Sequence, residues 1–165
     1  MAGSLIRLDA WTKVQGSPTP LGAAWVDSAQ AWNFALYSTE ATAVRLLIYG
    51  KGDFVNPIGS YDLDSIVNKT IRVWHILVPA SAMPGAFYYA FKVDGPCDPS
   101  NGQLFDSTKV ILDPYAHGIY LPPNFSRAAA TPPVPTTAKR RWVFFRRKFY
   151  PRPFPTPVRY HIRMT

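Results

Sequence analysis

Apolar and polar positions alternate with a period of two in four stretches of the chain. Trp32, Phe34 and Leu36 share one side, with Asn33, Ala35 and Tyr37 on the other. Val44, Leu46 and Ile48 alternate with Arg45, Leu47 and Tyr49. Ile71, Val73, His75 and Leu77 alternate with Arg72, Trp74, Ile76 and Val78, and Phe87, Tyr89, Phe91 and Val93 with Tyr88, Ala90, Lys92 and Asp94. Side chains along a strand point alternately to its two faces, and Val, Ile, Phe, Tyr and Trp suit a pleated surface. These stretches therefore predict strands. Apolar groups on both faces predict two sheets packed against each other.

The punctuation agrees. Gly50-Lys51-Gly52-Asp53, Asn56-Pro57, Asn68-Lys69, Met83-Pro84-Gly85 and Asp94-Gly95-Pro96 are turn chemistry. Strands recurring roughly every ten residues, without a helical period, predict an all-β, immunoglobulin-like antiparallel sandwich. Ser38-Thr39-Glu40-Ala41 and Ser81-Ala82 support a turn at most. The predicted division is an irregular lead-in over 1–15, a sandwich over 16–127 and a Pro/Arg-rich, disordered basic tail over 128–165.

Charge sharpens that division. The net charge is +8, but residues 1–130 carry nine Lys and Arg against all ten acids. Residues 131–165 carry the other nine cations, seven of the seventeen prolines and no glycine. Pro151, Pro153, Pro155 and Pro157 fall at every second position, which blocks helix and interior strand. Lys139-Arg140-Arg141-Trp142 and Arg146-Arg147-Lys148-Phe149-Tyr150 interleave cations with aromatics. Nucleic-acid or anionic-surface binding, if any, would thus rest on the tail alone.

Candidate chemistry is sparse. Cys97 is the one cysteine, which excludes an intramolecular disulfide and a Cys-based zinc cluster. His75, His117 and His161 show no metal-ligand spacing, so neither a metal nor another cofactor is expected. Glycoside hydrolysis needs two carboxylates facing each other across roughly 5–9 Å. The acids here fall mostly in turns, and Asp62 with Asp64 reads as solvated surface charge. No stretch approaches the roughly 18 apolar residues of a membrane span. The N-terminal residues lack the order of a secretion signal, so a cytoplasmic location is expected.

An ordered set of short runs adds a family resemblance. Pro20-Leu21-Gly22-Ala23 and Asn33-Phe34-Ala35-Leu36-Tyr37-Ser38 resemble the start of isoamylase-type glycogen debranching enzymes. Val73-Trp74-His75 with Val78-Pro79, then Tyr88-Tyr89-Ala90-Phe91-Lys92-Val93-Asp94-Gly95-Pro96, are similar to later strands of the same family. Asp98-Pro99, Gly102, Phe105 and Lys109-Val110-Ile111-Leu112-Asp113-Pro114-Tyr115-Ala116 complete the series. Ala90 stands where the family has Gly, and Lys92 where it has Arg.

The resemblance implies an N-terminal carbohydrate-binding module of family 48, ahead of a (β/α)₈ barrel of glycoside hydrolase family 13 that cleaves α-1,6 branch linkages in glycogen or starch. The chain would then be a truncated or frame-shifted product, inactive without that barrel. The alternative is a freestanding glucan- or protein-binding module. Expected partners are an α-glucan and, in the intact family, the catalytic barrel. Sugar rings offer apolar C–H faces to aromatic side chains, and Tyr49, Phe54 and Tyr61 border a Gly-rich turn. They are the candidate glucan contacts. Trp32 and Trp74 are expected in the core. Leu112, Tyr115, Ile119, Tyr120 and Leu121 are the candidate barrel-packing face, because they lie where the family's chain turns toward catalysis.

Overall fold

The computed structural model describes residues 15–120 and 144–146. The strands are β1 (Gly22–Val26), β2 (Ala31–Tyr37), β3 (Ala43–Tyr49), β4 (Gly59–Leu63), β5 (Lys69–Thr70), β6 (Val73–Pro79), β7 (Tyr88–Asp94), β8 (Cys97–Asp98), β9 (Gln103–Leu104), β10 (Ile119–Tyr120) and β11 (Phe144–Arg146). Three single 3₁₀ turns punctuate them, at Asp27–Ala29, Ala80–Ala82 and Pro99–Asn101. The second of these covers the Ser81-Ala82 turn expected from sequence.

The first sheet has the order β1-β2-β6-β5 and the second β10-β11-β7-β3-β4, while β8 and β9 form a separate two-stranded sheet. Every strand pair is antiparallel. The long pairings carry the register. Phe34 lies opposite Ile76 and Leu36 opposite Trp74 in the first sheet, and Leu46 lies opposite Phe91 and Ile48 opposite Tyr89 in the second.

The core is made by alternate residues of the two sheets. Trp32, Phe34, Leu36, Trp74, Ile76 and Val78 meet Val44, Leu46, Ile48, Tyr89, Phe91 and Val93 in one buried cluster. Trp32 and Trp74 are both buried, as their shared faces required. Each large apolar side chain taken from water contributes roughly 1.5–3 kcal/mol, which is what a sandwich of this kind sets against chain entropy.

The third stretch departs from its alternation pattern. Ile71 does not enter the strand: β6 begins at Val73, and Ile71 sits in the β5–β6 turn at φ 57°. It is 87% exposed. A tight hairpin turn demands a left-handed residue, and that local demand overrides the alternation.

The outer face of the first sheet is sealed by the segment just before it. Ser17 N–H donates to Asn33 Oδ1 (2.6 Å), and Asn33 Nδ2 donates back to the Ser17 carbonyl (3.0 Å). His75 Nδ1 hydrogen-bonds the Gln15 carbonyl, and His75 Nε2 lies 2.8 Å from Thr70 Oγ1. His75 and Asn33 are thus buried polar groups with partners. The end of the expected lead-in is therefore packed on the sheet at Gln15–Ser17, and residues 1–14 lie outside the described part.

Of the tail, only Phe144–Arg146 is described. It pairs with Tyr88–Tyr89 of β7 on one side and with β10 on the other, as a strand. The expected disorder of the tail otherwise falls on residues outside the described ones.

Candidate functional site

The outer face of the second sheet carries an unexpected aromatic cluster. Leu47 and Tyr49 of β3 lie opposite Ala90 and Tyr88 of β7 and point away from the sandwich core. All four are buried, with Val110 beside them and Phe54, Phe87 and Tyr120 packed over them. Phe54 and Tyr120 stack at 5.2 Å between ring centroids, and Tyr88 stacks on Tyr120 at 5.4 Å. Phe87 meets Tyr88 edge-on at 4.8 Å, and the Lys51 ammonium lies 6.0 Å from the Phe87 ring.

Tyr49 is a correction. Placed among the exposed glucan contacts from its neighbourhood, it is wholly buried, because the loop carrying Phe54 folds back over the sheet. Burial also pushes its hydroxyl above the ordinary tyrosine range. A buried ring cannot stack on a sugar. Phe54 is half-buried over the same cluster. Tyr61 is half-buried against the main core, and its hydroxyl donates to the Ala82 carbonyl (3.2 Å).

The five candidate packing residues do not make one exposed face. Leu112 packs on the main core and Tyr120 on the outer cluster. Tyr115 and Ile119 are exposed, at 53% and 60%, and Leu121 lies outside the described residues. Beside them, Asp113 is buried. It accepts from Tyr89 Oη (2.7 Å) at Oδ2 and from the Tyr115 N–H (2.9 Å) at Oδ1. Burial raises its proton affinity above the usual carboxylate range, and those two donors and His117 offset part of this.

Four of the exposed carboxylates are engaged in their own turns and strands. Asp53 accepts from the N–H groups of Val55 and Asn56, and Asp64 from those of Ile66 and Val67. Asp98 holds Ser100 and Asn101, while Asp62 pairs with Arg45 across the β3–β4 ladder. These carboxylates are turn and ladder fasteners, and the hydrogen bonds hold Asp53, Asp64 and Asp98 below their ordinary pKa. No group of three metal-ligating side chains exists among the described residues. No helix there is long and apolar enough to cross a membrane.

The fold and the face-by-face chemistry define an antiparallel β-sandwich module. Residues 20–116 match the family described as carbohydrate-binding module 48, the isoamylase N-terminal domain, and the chain belongs to that family. It is 34% identical over 106 residues to isoamylase SU1, chloroplastic, of Zea mays, covering 63% of this chain and 13% of the relative. It is 39% identical over 101 residues to a glycogen debranching enzyme of Pectobacterium carotovorum, covering 61% of this chain and 14% of the relative. The chain therefore spans about one seventh of the length of these relatives. A solved structure of the Group B Streptococcus pullulanase SAP shares the fold, with a TM-score of 0.50 and 17% identity over 81% of this chain and 15% of that one.

Proposed function

We propose that the chain is the non-catalytic N-terminal module of an isoamylase-like debranching enzyme, working on α-1,6-branched glycogen or starch in the cytoplasm. In this reading the hydrolytic step belongs to a barrel of glycoside hydrolase family 13 and not to the sandwich. What supports the reading is one conjunction: a family match across the sandwich, and carboxylates that hold turns and ladders in place of facing one another across a sugar. In this reading Phe54 and Tyr61 contact α-glucan. The exposed Tyr115 and Ile119 meet the barrel. In this reading the basic, Pro-rich sequence beyond residue 130 is an out-of-frame continuation, three residues of which, Phe144–Arg146, pair with β7 and β10. Reading the coding DNA in all three frames tests that part.

The activity test uses the purified full chain with glycogen and with pullulan. The expected result is no release of reducing ends above a blank. Release in proportion to protein concentration would overturn the reading.

A further inference from the structure

One strand of the second sheet comes from outside the matched module. β11 lies between β7 and β10 and runs antiparallel to both. Residues 121–143, 23 positions, separate Tyr120 from Phe144, far more than a hairpin loop needs. The family match ends at residue 116, so it takes in β7 and leaves out the strand that fills the edge of β7. That edge is closed in two parts. Phe91 exchanges main-chain hydrogen bonds with Ile111, at 3.3 Å and 2.8 Å. Main-chain groups alternate between the two edges of a strand, so Tyr89, two residues back, turns its own N–H and carbonyl the same way. The register sets Phe145 opposite Tyr89, and on the far side Phe144 opposite Tyr120.

The two walls of this gap are braced by side chains that do not belong to β11. Neighbouring strands lie about 4.8 Å apart, so β7 and β10 stand two spacings apart and the gap is one strand wide. The Tyr88 ring of β7 and the Tyr120 ring of β10 stack at 5.4 Å, and Phe54 stacks on Tyr120 at 5.2 Å. A pre-formed gap lowers the ordering cost of binding. Unpaired N–H and carbonyl groups along a strand edge are a template for another strand. Every residue except proline supplies the matching donor and acceptor. The gap therefore selects an extended main chain and not a particular set of side chains.

We propose that the gap between β7 and β10 is a strand-binding site, which takes an extended peptide through its main chain, and that Phe144–Arg146 is its tethered ligand. β11 pairs through two residues on each side, so its hold is that of a few main-chain hydrogen bonds. The tether adds an effective concentration on the order of millimolar, which lets the chain's own strand exclude a weak external one. An external strand enters when β11 is withdrawn. The site is a property of β7 and β10 and does not depend on the function proposed above.

The test uses the ¹⁵N-labelled full chain and reads amide hydrogen exchange. Phe145→Pro removes the N–H opposite Tyr89 and should lower the protection of the Tyr89 amide about fivefold, the effect of one hydrogen bond. Phe145→Ala keeps that N–H and should leave the protection as in the wild type. The β3 amides should exchange as in the wild type in both variants. A synthetic peptide of residues Trp142–Lys148, added above the effective concentration of the tether, should restore protection of Tyr89 in the Phe145→Pro chain. The same peptide with proline in place of Phe145 should not. Equal protection of Tyr89 in the wild type and Phe145→Pro would overturn the site. Loss of protection in Phe145→Ala would assign recognition to the side chain and overturn it as well. So would a Phe145→Pro chain that the first peptide leaves unprotected, or that both peptides protect alike. Loss of protection across β3 in Phe145→Pro would make β11 part of the core and not a ligand.

Discussion

Tyr89 donates its hydroxyl to Asp113 Oδ2 across 2.7 Å inside the sandwich, tying the start of β7 to the loop that follows Ile111. Both residues are about 1% exposed. A hydroxyl and a carboxylate buried together are tolerable only as partners, since either one alone carries its full desolvation penalty.

Removing one partner should therefore cost more than exchanging it. Asp113→Ala leaves the Tyr89 hydroxyl and the Tyr115 N–H without acceptors and is expected to cost about 1–3 kcal/mol. Asp113→Asn keeps an acceptor for Tyr115, offers an N–H to Tyr89 and removes a buried charge, so it should match or exceed the wild type at neutral pH. Urea unfolding midpoints of the two variants check this. An Asn variant as weak as the Ala variant would mean that the charge itself is required.

The same carboxyl sets a pH dependence with a definite sign. Its folded pKa is raised, chiefly by burial, so protonation favours the folded state. That contribution is complete below the unfolded value of about 3.9 and is lost as pH rises through the raised folded value. Asp53, Asp64 and Asp98 act in the opposite sense. Their hydrogen bonds lower their folded pKa, and the stability they add is lost as pH falls through it. Wild-type stability measured relative to Asp113→Asn should accordingly decline as pH rises from about 4 toward neutrality. A relative gain over that window would contradict the assigned direction.

Ile71 is a β-branched residue in the left-handed region, at φ 57°, with 87% of its surface in water. It has almost no packing to set against a conformational cost of roughly 1–2 kcal/mol. Ile71→Asn, which tolerates that backbone, is expected to stabilise the protein by about 1 kcal/mol and to raise the thermal midpoint by several degrees. Calorimetry measures it. Unchanged stability would mean that the isoleucine is held by contacts its exposure does not reveal.

Gly16 presents the reverse case. It has φ 66°, and a methyl group there would lie 2.5 Å from Asn33 Oδ1 and 2.6 Å from the Ile76 carbonyl carbon. Gly16→Ala should cost at least the roughly 1–2 kcal/mol of a left-handed L-residue. It should also disrupt the reciprocal Ser17–Asn33 hydrogen bonds. Adding Asn33→Ala to Gly16→Ala should then cost less than the sum of the two single changes, a coupling read from a double-mutant cycle. Full additivity would show that the two positions do not share one clasp.

Alternation alone grouped Trp32 with Phe34 and Leu36, and Trp74 with Ile76 and Val78, and sent both sets to the core, because a one-residue slip would turn each set outward. Turn residues such as Asp53, Asp64 and Asp98 were equally legible, since a carboxylate that accepts its own neighbours' N–H groups is a local event. Tertiary structure decided what lay across the chain. Tyr49 looked exposed beside a Gly-rich turn, yet the Phe54 loop and Tyr120, 71 positions after Tyr49, cover its face of the sheet. The edge of β7 at Tyr88–Tyr89 is filled by Phe144–Arg146, from beyond the matched module. Strand periodicity reports only the two faces of one segment, whereas a covered face or a filled edge is set by which distant segments fold against it.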